Sequence, residues 1–291
     1  MPQRRSTRSR RAFDTMTGML TTTDAPAADR VSTRRWGGAA LVAVAAFLVG
    51  LPVSRDAPLL WAALAGVLAV ISAAAYALRD PAVLRAVLLV DLVVACTAAG
   101  TWLLPAGLLT WPTTVLVAMA IGVGIARLRP ELRPVAPWLR RGRRTPELPW
   151  LVLAVVVLSA AALTAWAWLA DPPVPPFVAN LGDRPVAVIA AGVIGFSVVN
   201  AVAEEFLYRG VLQTELTALA GATTAIIVQA AAFGVAHWSG FPSGWMGVGM
   251  SAAYGLLLGV IRHRTGGILA VFAVHILADT TIGLLGMYLL R

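Results

Sequence analysis

Residues 204–209 read Glu-Glu-Phe-Leu-Tyr-Arg, and they follow a segment, Val186 to Val202, composed almost wholly for lipid. A charge at the centre of a bilayer costs about 2.5–3.5 kcal/mol even on the lenient insertion scales, so intramembrane ionisable groups mark function. Further polar residues follow along the chain. Asn200 and Glu204 are four apart, as are Glu205 and Arg209, the latter in the Glu-before-Arg order that favours pairing. Gln229, Phe233 and His237 form a stripe at i, i+4 and i+8, and His275 and Asp279 are again four apart. Three helices therefore each carry a polar stripe, and such stripes are satisfied together only inside a bundle. The bland alternative is three independent interhelical hydrogen bonds, worth roughly 0.6–2 kcal/mol each. Two carboxylates, an arginine and two histidines on three spans favour a single site.

The chemistry open to these groups is proton transfer. A carboxylate beside a histidine can take a proton from water and pass it to a leaving amine. Glu205, held by Arg209, is expected to stay ionised and structural, which leaves Glu204 as the general base with His237 holding the water. His275 and Asp279 could stabilise a developing oxyanion. Alternatively Glu204, His237 and His275 could ligate a zinc ion with an open fourth position. The spacing does not choose between no cofactor and Zn²⁺, and the His-Glu-x-x-His pattern of soluble zinc proteases is absent.

The elements that must position these groups are membrane helices. Of the 291 residues, 59% are hydrophobic and 13% charged, against roughly 45–50% and about 25% in soluble domains, and the mean hydropathy is +0.80. Apolar runs of spanning length lie near 36–53, 59–78, 83–104, 107–126, 150–170, 185–208, 222–239, 245–261 and 267–290. This predicts an all-α, polytopic transmembrane helix bundle of about eight to nine spans. All 23 basic residues are arginine. They gather in alternate loops, the positive-inside pattern, which puts the N-terminus in the cytoplasm and argues against a nucleic-acid face despite the net charge of +9. The expected partners are the lipid bilayer and a membrane-associated peptide or protein, with no nucleic acid. The arginine-for-lysine, alanine-rich composition suggests a bacterial plasma membrane.

Four regions are expected: a disordered Arg-rich cytoplasmic tail (1–35), a four-helix accessory region (36–126), a cytoplasmic Arg/Pro-rich linker (127–149) and a membrane core with all the motifs (150–291). Ser9-Arg10-Arg11-Ala12-Phe13 is reminiscent of a twin-arginine signal, but the first apolar run begins more than twenty residues later. Asp91 is read as a helix–helix hydrogen-bonding residue, Arg85 as a side chain snorkelling to the cytoplasmic surface, and His263 as a solvated loop residue. Asp171-Pro-Pro-Val-Pro-Pro176 is read as a stiff polyproline-like connector. Cys96 is the single cysteine and carries no expected chemistry.

One conflict of depth leads to a further expectation. If the sixth span ended at Arg209, Glu204 would lie near the cytoplasmic face. His237 would lie roughly 22 Å into the next span, at 1.5 Å per residue. For the two to meet, the sixth helix must continue to about Leu219, with Arg209 embedded and salt-bridged.

These residues resemble a known family. Glu204-Glu205-Phe206-Leu207-Tyr208-Arg209 matches Glu-Glu-x-x-x-Arg, Phe233 to His237 matches Phe-x-x-x-His, and His275 to Asp279 matches His-x-x-x-Asn/Asp. Tyr254-Gly255 through Gly259, then Arg264 to Leu269, look like the glycine-bearing helix and turn before the last motif. Over about 185–285 the chain resembles the CPBP family of CAAX proteases and bacteriocin-processing enzymes, also called Abi, which is related to the type II CAAX prenyl endopeptidase. The resemblance implies intramembrane peptide-bond hydrolysis. It implies Glu204 as base with His237, Glu205 and Arg209 as a supporting pair, and His275 and Asp279 as the oxyanion or second polar pair. It leaves the metal open, since the family has been described both as metalloproteases and as metal-free glutamate proteases. Asp279 stands where the eukaryotic enzymes carry Asn, so it must be protonated, orient His275, or bind metal. Two other classes remain open from the residues: a proton-coupled transporter using Glu204, Glu205 and Asp279 as a relay, and a catalytically silent scaffold.

Overall fold

A computed structural model describes residues 33–51, 54–104, 107, 109–134, 138–170, 172, 174, 176–179 and 184–289. The expected tail lies outside these residues except for 33–35, which already belong to the first helix. Half of the Pro-rich 171–176 connector (171, 173 and 175) also lies outside them.

The described chain is helical: α1 (Thr33–Leu48), α2 (Pro58–Leu78), α3 (Pro81–Leu103), α4 (Thr110–Leu128), α5 (Leu148–Ala170), α6 (Val186–Ala220), α7 (Ala222–Ala236), α8 (Gly244–Thr265) and α9 (Leu269–Leu289). One 3₁₀ turn (Pro130–Leu132) and one helical turn (Pro176–Ala179) punctuate the connections. Seven helices are long and apolar enough to cross a membrane, so the chain is a multi-pass, all-α membrane protein. Two of the nine expected spans form shorter helices: α1 has 16 residues and α7 has 15. At 1.5 Å per residue α7 is ~22 Å long, short of the ~30 Å hydrocarbon core.

Local chemistry sets the boundaries. Asp80 caps α3 by accepting from the Ala82 amide at 2.9 Å, and Pro81 occupies the first helical position. Arg79 adopts φ 51° and closes the two-residue turn from α2. Helix α6 does not stop at Arg209. It runs on to Ala220, 35 residues in all, as the depth argument requires. Residues Phe206–Leu212 form a π segment within it, a distortion that recurs at functional sites. Tyr208, Arg209 and Leu212 are all buried in this stretch, so the polar insertion is enclosed by protein rather than lipid.

Small residues bring α8 onto α7. A Cβ on Gly234 would lie 2.6 Å from the Val248 carbonyl oxygen, and one on Gly259 would lie 2.6 Å from Gln229 Nε2. Gly255 and Gly259 form a small-xxx-small face, which lets membrane helices approach closely without a hydrophobic driving force. The gap is bridged by polar groups. Gln229 Nε2 donates to Gly255 O at 3.0 Å and Gln213 Nε2 to Gly259 O at 2.9 Å.

The 127–149 linker is docked rather than free. Ile268 N donates to Arg140 O and Arg143 N to Thr265 O, both at 2.8 Å, tying the segment to the α8–α9 turn. Gly142 (φ +85°) and Gly267 make this possible, since a Cβ on Gly267 would meet Gly142 N at 2.0 Å. Trp138 is buried, packs edge-on against Phe206 at 6.1 Å, and donates from Nε1 to Glu215 Oε1 at 2.7 Å. One apolar cluster joins residues of α1–α4 with Phe206, Leu212, Leu216 and Phe233, so the first four helices and the motif-bearing helices share a core.

Arg85 does not snorkel to the surface. It is 5% exposed and grips Glu215 on α6 with two bonds, Nε to Oε1 at 2.8 Å and Nη2 to Oε2 at 2.6 Å. A buried carboxylate with matching fork geometry outcompetes solvent for a guanidinium. Asp91 is the expected helix–helix residue: Ser72 Oγ on α2 donates to its Oδ2 at 2.5 Å. His263 is exposed, in the last turn of α8.

Candidate active site

Four helices meet around Glu205. Its Oε1 accepts from Arg209 Nη1 at 2.7 Å and from His275 Nδ1 at 2.7 Å, and all three side chains are at most 2% exposed. The Arg209 guanidinium carbon lies 4.4 Å from the Phe233 ring centroid, and its Nη2 approaches Gly255 O at 3.4 Å. Glu205 thus ties α6 to α9, while Arg209 reaches α7 and α8. Fully desolvated charges are tolerated when paired and hydrogen-bonded; this pair is joined through Glu205 Oε1, while Glu205 Oε2 and Arg209 Nε are buried without a hydrogen-bond partner.

Glu204 differs. It is 6% exposed, its Oε2 has no hydrogen-bond partner, and its nearest charged neighbour is His275 Nε2 at 3.6 Å. His237 lies within electrostatic reach of Glu204. The Phe233 ring packs against both histidines, its centroid 4.5 Å from that of His237 and 6.2 Å from that of His275. His237 Nδ1 lies 2.8 Å from Phe233 O, one turn back. A carbonyl only accepts, so Nδ1 carries the proton and Nε2 is left as a lone pair in the neutral ring. That is the tautomer needed to hold a water.

His275 faces a crowd of acceptors. With Nδ1 donating to Glu205, its Nε2 points at Asp279 Oδ1 (3.3 Å) and Glu204 Oε2 (3.6 Å). These contacts attract only if a proton sits at the junction, on Nε2 or on one of the carboxyls. Asn200 Nδ2 donates to Asp279 Oδ2 at 3.2 Å. Asp279 thus lies between Asn200 and His275, one contact on each carboxyl oxygen.

The sequence-selected groups Asn200, Glu204, Glu205, Arg209, His237, His275 and Asp279 all belong to this neighbourhood. Gln229 holds the α8 backbone at Gly255 O, the carbonyl that Arg209 Nη2 also approaches. Three aromatic residues complete the surroundings: Phe233, Tyr208 and Tyr254. Phe233 contacts Tyr208 (5.1 Å), Tyr254 (6.4 Å), both histidines and Arg209. The hydroxyls of Tyr208 and Tyr254 are buried without a hydrogen-bond partner. Their signal in the sequence was present, since Tyr208 lies within the Glu-Glu-x-x-x-Arg motif and Tyr254 opens the glycine-bearing helix.

The zinc alternative meets a poor fit. Among the described residues no three His, Cys, Asp or Glu side chains are placed to share an ion. His275 spends Nδ1 on Glu205, and its Nε2 is directed at Asp279 and Glu204 rather than at a common point with His237.

The fold and site together define a multi-pass membrane protein with a buried Glu/His cluster. Residues 185–281, one third of the 291, match the family model described as Rce1-like, type II CAAX prenyl endopeptidase. No curated protein and no solved structure matches the chain. The matched stretch contains α6 to α8 and most of α9, and so every residue of the cluster.

Proposed function

We propose that the chain is an intramembrane endopeptidase that hydrolyses a peptide bond of a membrane-associated peptide or protein in a bacterial plasma membrane. The carrying observation is the inequivalence of the two glutamates: Glu205 is locked by Arg209 and His275, whereas Glu204 is buried with no hydrogen bond at Oε2, 3.6 Å from His275 and within electrostatic reach of His237. In this reading a water sits between Glu204 and His237 Nε2. Glu204 takes its proton as the oxygen attacks the scissile carbonyl. The oxyanion is stabilised by the proton at the His275 junction, a preorganised donor in a low-dielectric site. Glu204 then returns its proton to the leaving nitrogen as the C–N bond breaks, giving a carboxylic acid and an amine, which ionise to carboxylate and ammonium as the acid passes its proton to the amine. Asn200 and Asp279 position His275. The arginine distribution supports a cytoplasmic N-terminus, with α6 entering from the opposite face.

The test is cleavage by the purified chain in liposomes against a panel of membrane peptides, with Glu204→Gln and His237→Ala, each with and without chelator. We expect chelator-insensitive cleavage by the wild type and loss in both variants. Chelator-sensitive cleavage would restore the metal alternative. No cleavage of any membrane peptide would favour the transporter or the scaffold.

A further inference from the structure

A second feature lies on the arginine-rich face and shares only Arg209 with the cluster around Glu205. A cavity of about 540 Å³ opens among the start of α1, the start of α3, the docked linker, the C-terminal third of α6 and the end of α8. That volume is in the range of small-ligand sites. Five arginines line it (35, 85, 140, 209 and 262) against two carboxylates, Asp80 and Glu215. Glu215 is gripped by Arg85, and Asp80 is oriented by the Ala82 amide that it caps, so arginines outnumber the carboxylates in the lining. Arg209 is matched by Glu205.

Arg140 and Arg262 are different. Their charges lie close enough to repel, and neither makes an ion pair among the described residues. Arg262 Nε is buried with no hydrogen-bond partner. The backbone nevertheless holds the two together. The Arg140 carbonyl is bonded to Ile268 N, while Gly266 N bonds to Arg262 O at 3.0 Å. Two arginines that line one cavity, one of them with an unspent buried donor, are suited to an anion. Planar guanidinium forks match phosphate oxygens in pairs, and basic pockets between membrane helices at the arginine-rich face suit anionic headgroups.

We propose that this cavity binds a phosphate-bearing anion between Arg140 and Arg262, either the headgroup of an anionic phospholipid or a free phosphate. The site does not depend on the peptidase reading, because its arginines other than Arg209 lie outside that cluster. The test is lipid retention by the full chain in mild detergent, read by native mass spectrometry, with phosphatidylglycerol or phosphatidic acid against phosphatidylcholine. Arg140→Gln and Arg262→Gln are compared with Arg264→Gln, which is exposed on the same turn of α8 and does not line the cavity. Arg140 is exposed and Arg262 half-buried, so both variants should fold, and a thermal unfolding curve checks this.

We expect retention of the anionic lipid, weakened about fivefold by each cavity variant, which is the ~1 kcal/mol of one basic residue near an anionic surface. Arg264→Gln should leave it unchanged. Displacement by millimolar inorganic phosphate would assign the free anion, and resistance to it the headgroup. Equal retention of phosphatidylcholine, or equal losses in all three variants, would overturn the proposal. So would displacement by a glutamate-rich peptide but not by phosphate.

Discussion

Replacing each glutamate of the pair by glutamine should separate stability from activity. Glu205 is completely buried and is the acceptor for two charge-assisted bonds of 2.7 Å, from Arg209 and from His275. Glu205→Gln keeps the volume but removes the charge, leaving the guanidinium of Arg209 buried with a neutral acceptor and one amide proton facing His275 Nδ1 or Arg209. Breaking a buried pair on one side costs ~3–5 kcal/mol. Glu204 accepts no hydrogen bond at its buried Oε2 and is held by no cation closer than His275 at 3.6 Å. Neutralising it relieves a desolvated charge, so Glu204→Gln should change stability by less than ~1 kcal/mol, or raise it. The two variants differ by one chain position and by at least ~2 kcal/mol, about a thirtyfold difference in the folding equilibrium. The assay is unfolding in mixed micelles titrated with a denaturing detergent, followed by tryptophan fluorescence. Equal destabilisation, or greater loss for Glu204→Gln, would refute the division of roles. Both variants should be inactive, so activity alone cannot make this distinction.

Other outcomes follow from the same contacts. Arg85→Met and Glu215→Met should each destabilise by ~3–5 kcal/mol, while the double variant recovers most of that loss, because an apolar pair of similar volume replaces a buried ion pair at little cost; a double-mutant unfolding cycle measures it. Gly234→Ala should cost ~1–3 kcal/mol by forcing α7 from α8, where its Cβ would lie 2.6 Å from Val248 O; thermal unfolding checks this. Asp279→Asn, which restores the residue type of the eukaryotic enzymes, should retain cleavage within about tenfold if Asp279 serves to orient His275, read as kcat on the best panel peptide. A larger loss would mean that its charge takes part in the reaction.

Much of this architecture was legible in the sequence. The polar stripes at i, i+4 spacing are real because membrane helices must turn polar side chains inward, and the requirement that Glu204 and His237 share a depth correctly extended α6 beyond Arg209 to Ala220. Hydropathy was less reliable at the ends of the count. Runs 36–53 and 222–239 satisfy an apolar window but form helices of 16 and 15 residues, since hydropathy does not register where backbone bonding stops. The Arg85–Glu215–Trp138 network was invisible. Its partners are 130 and 77 residues apart, and an arginine near the end of an apolar run reads as a surface anchor unless the distant carboxylate is known. The π segment left no sequence signal either, because its residues fit an α-helical pattern equally well. The docking of 138–143 onto the α8–α9 turn depends on the mutual approach of Gly142 and Gly267, two glycines that read locally as ordinary loop residues.

The central claim is that side chains from separate helices act on one water. The direct measurement is a double-mutant cycle on cleavage rate using Glu204→Gln, His237→Ala and the pair together. Residues that act as a unit are strongly non-additive. The account predicts that each single variant loses about 10²–10⁴ in kcat and that the double variant is no slower than Glu204→Gln alone. Losses that multiply, or a Glu204→Gln enzyme that cleaves at the wild-type rate, would contradict it.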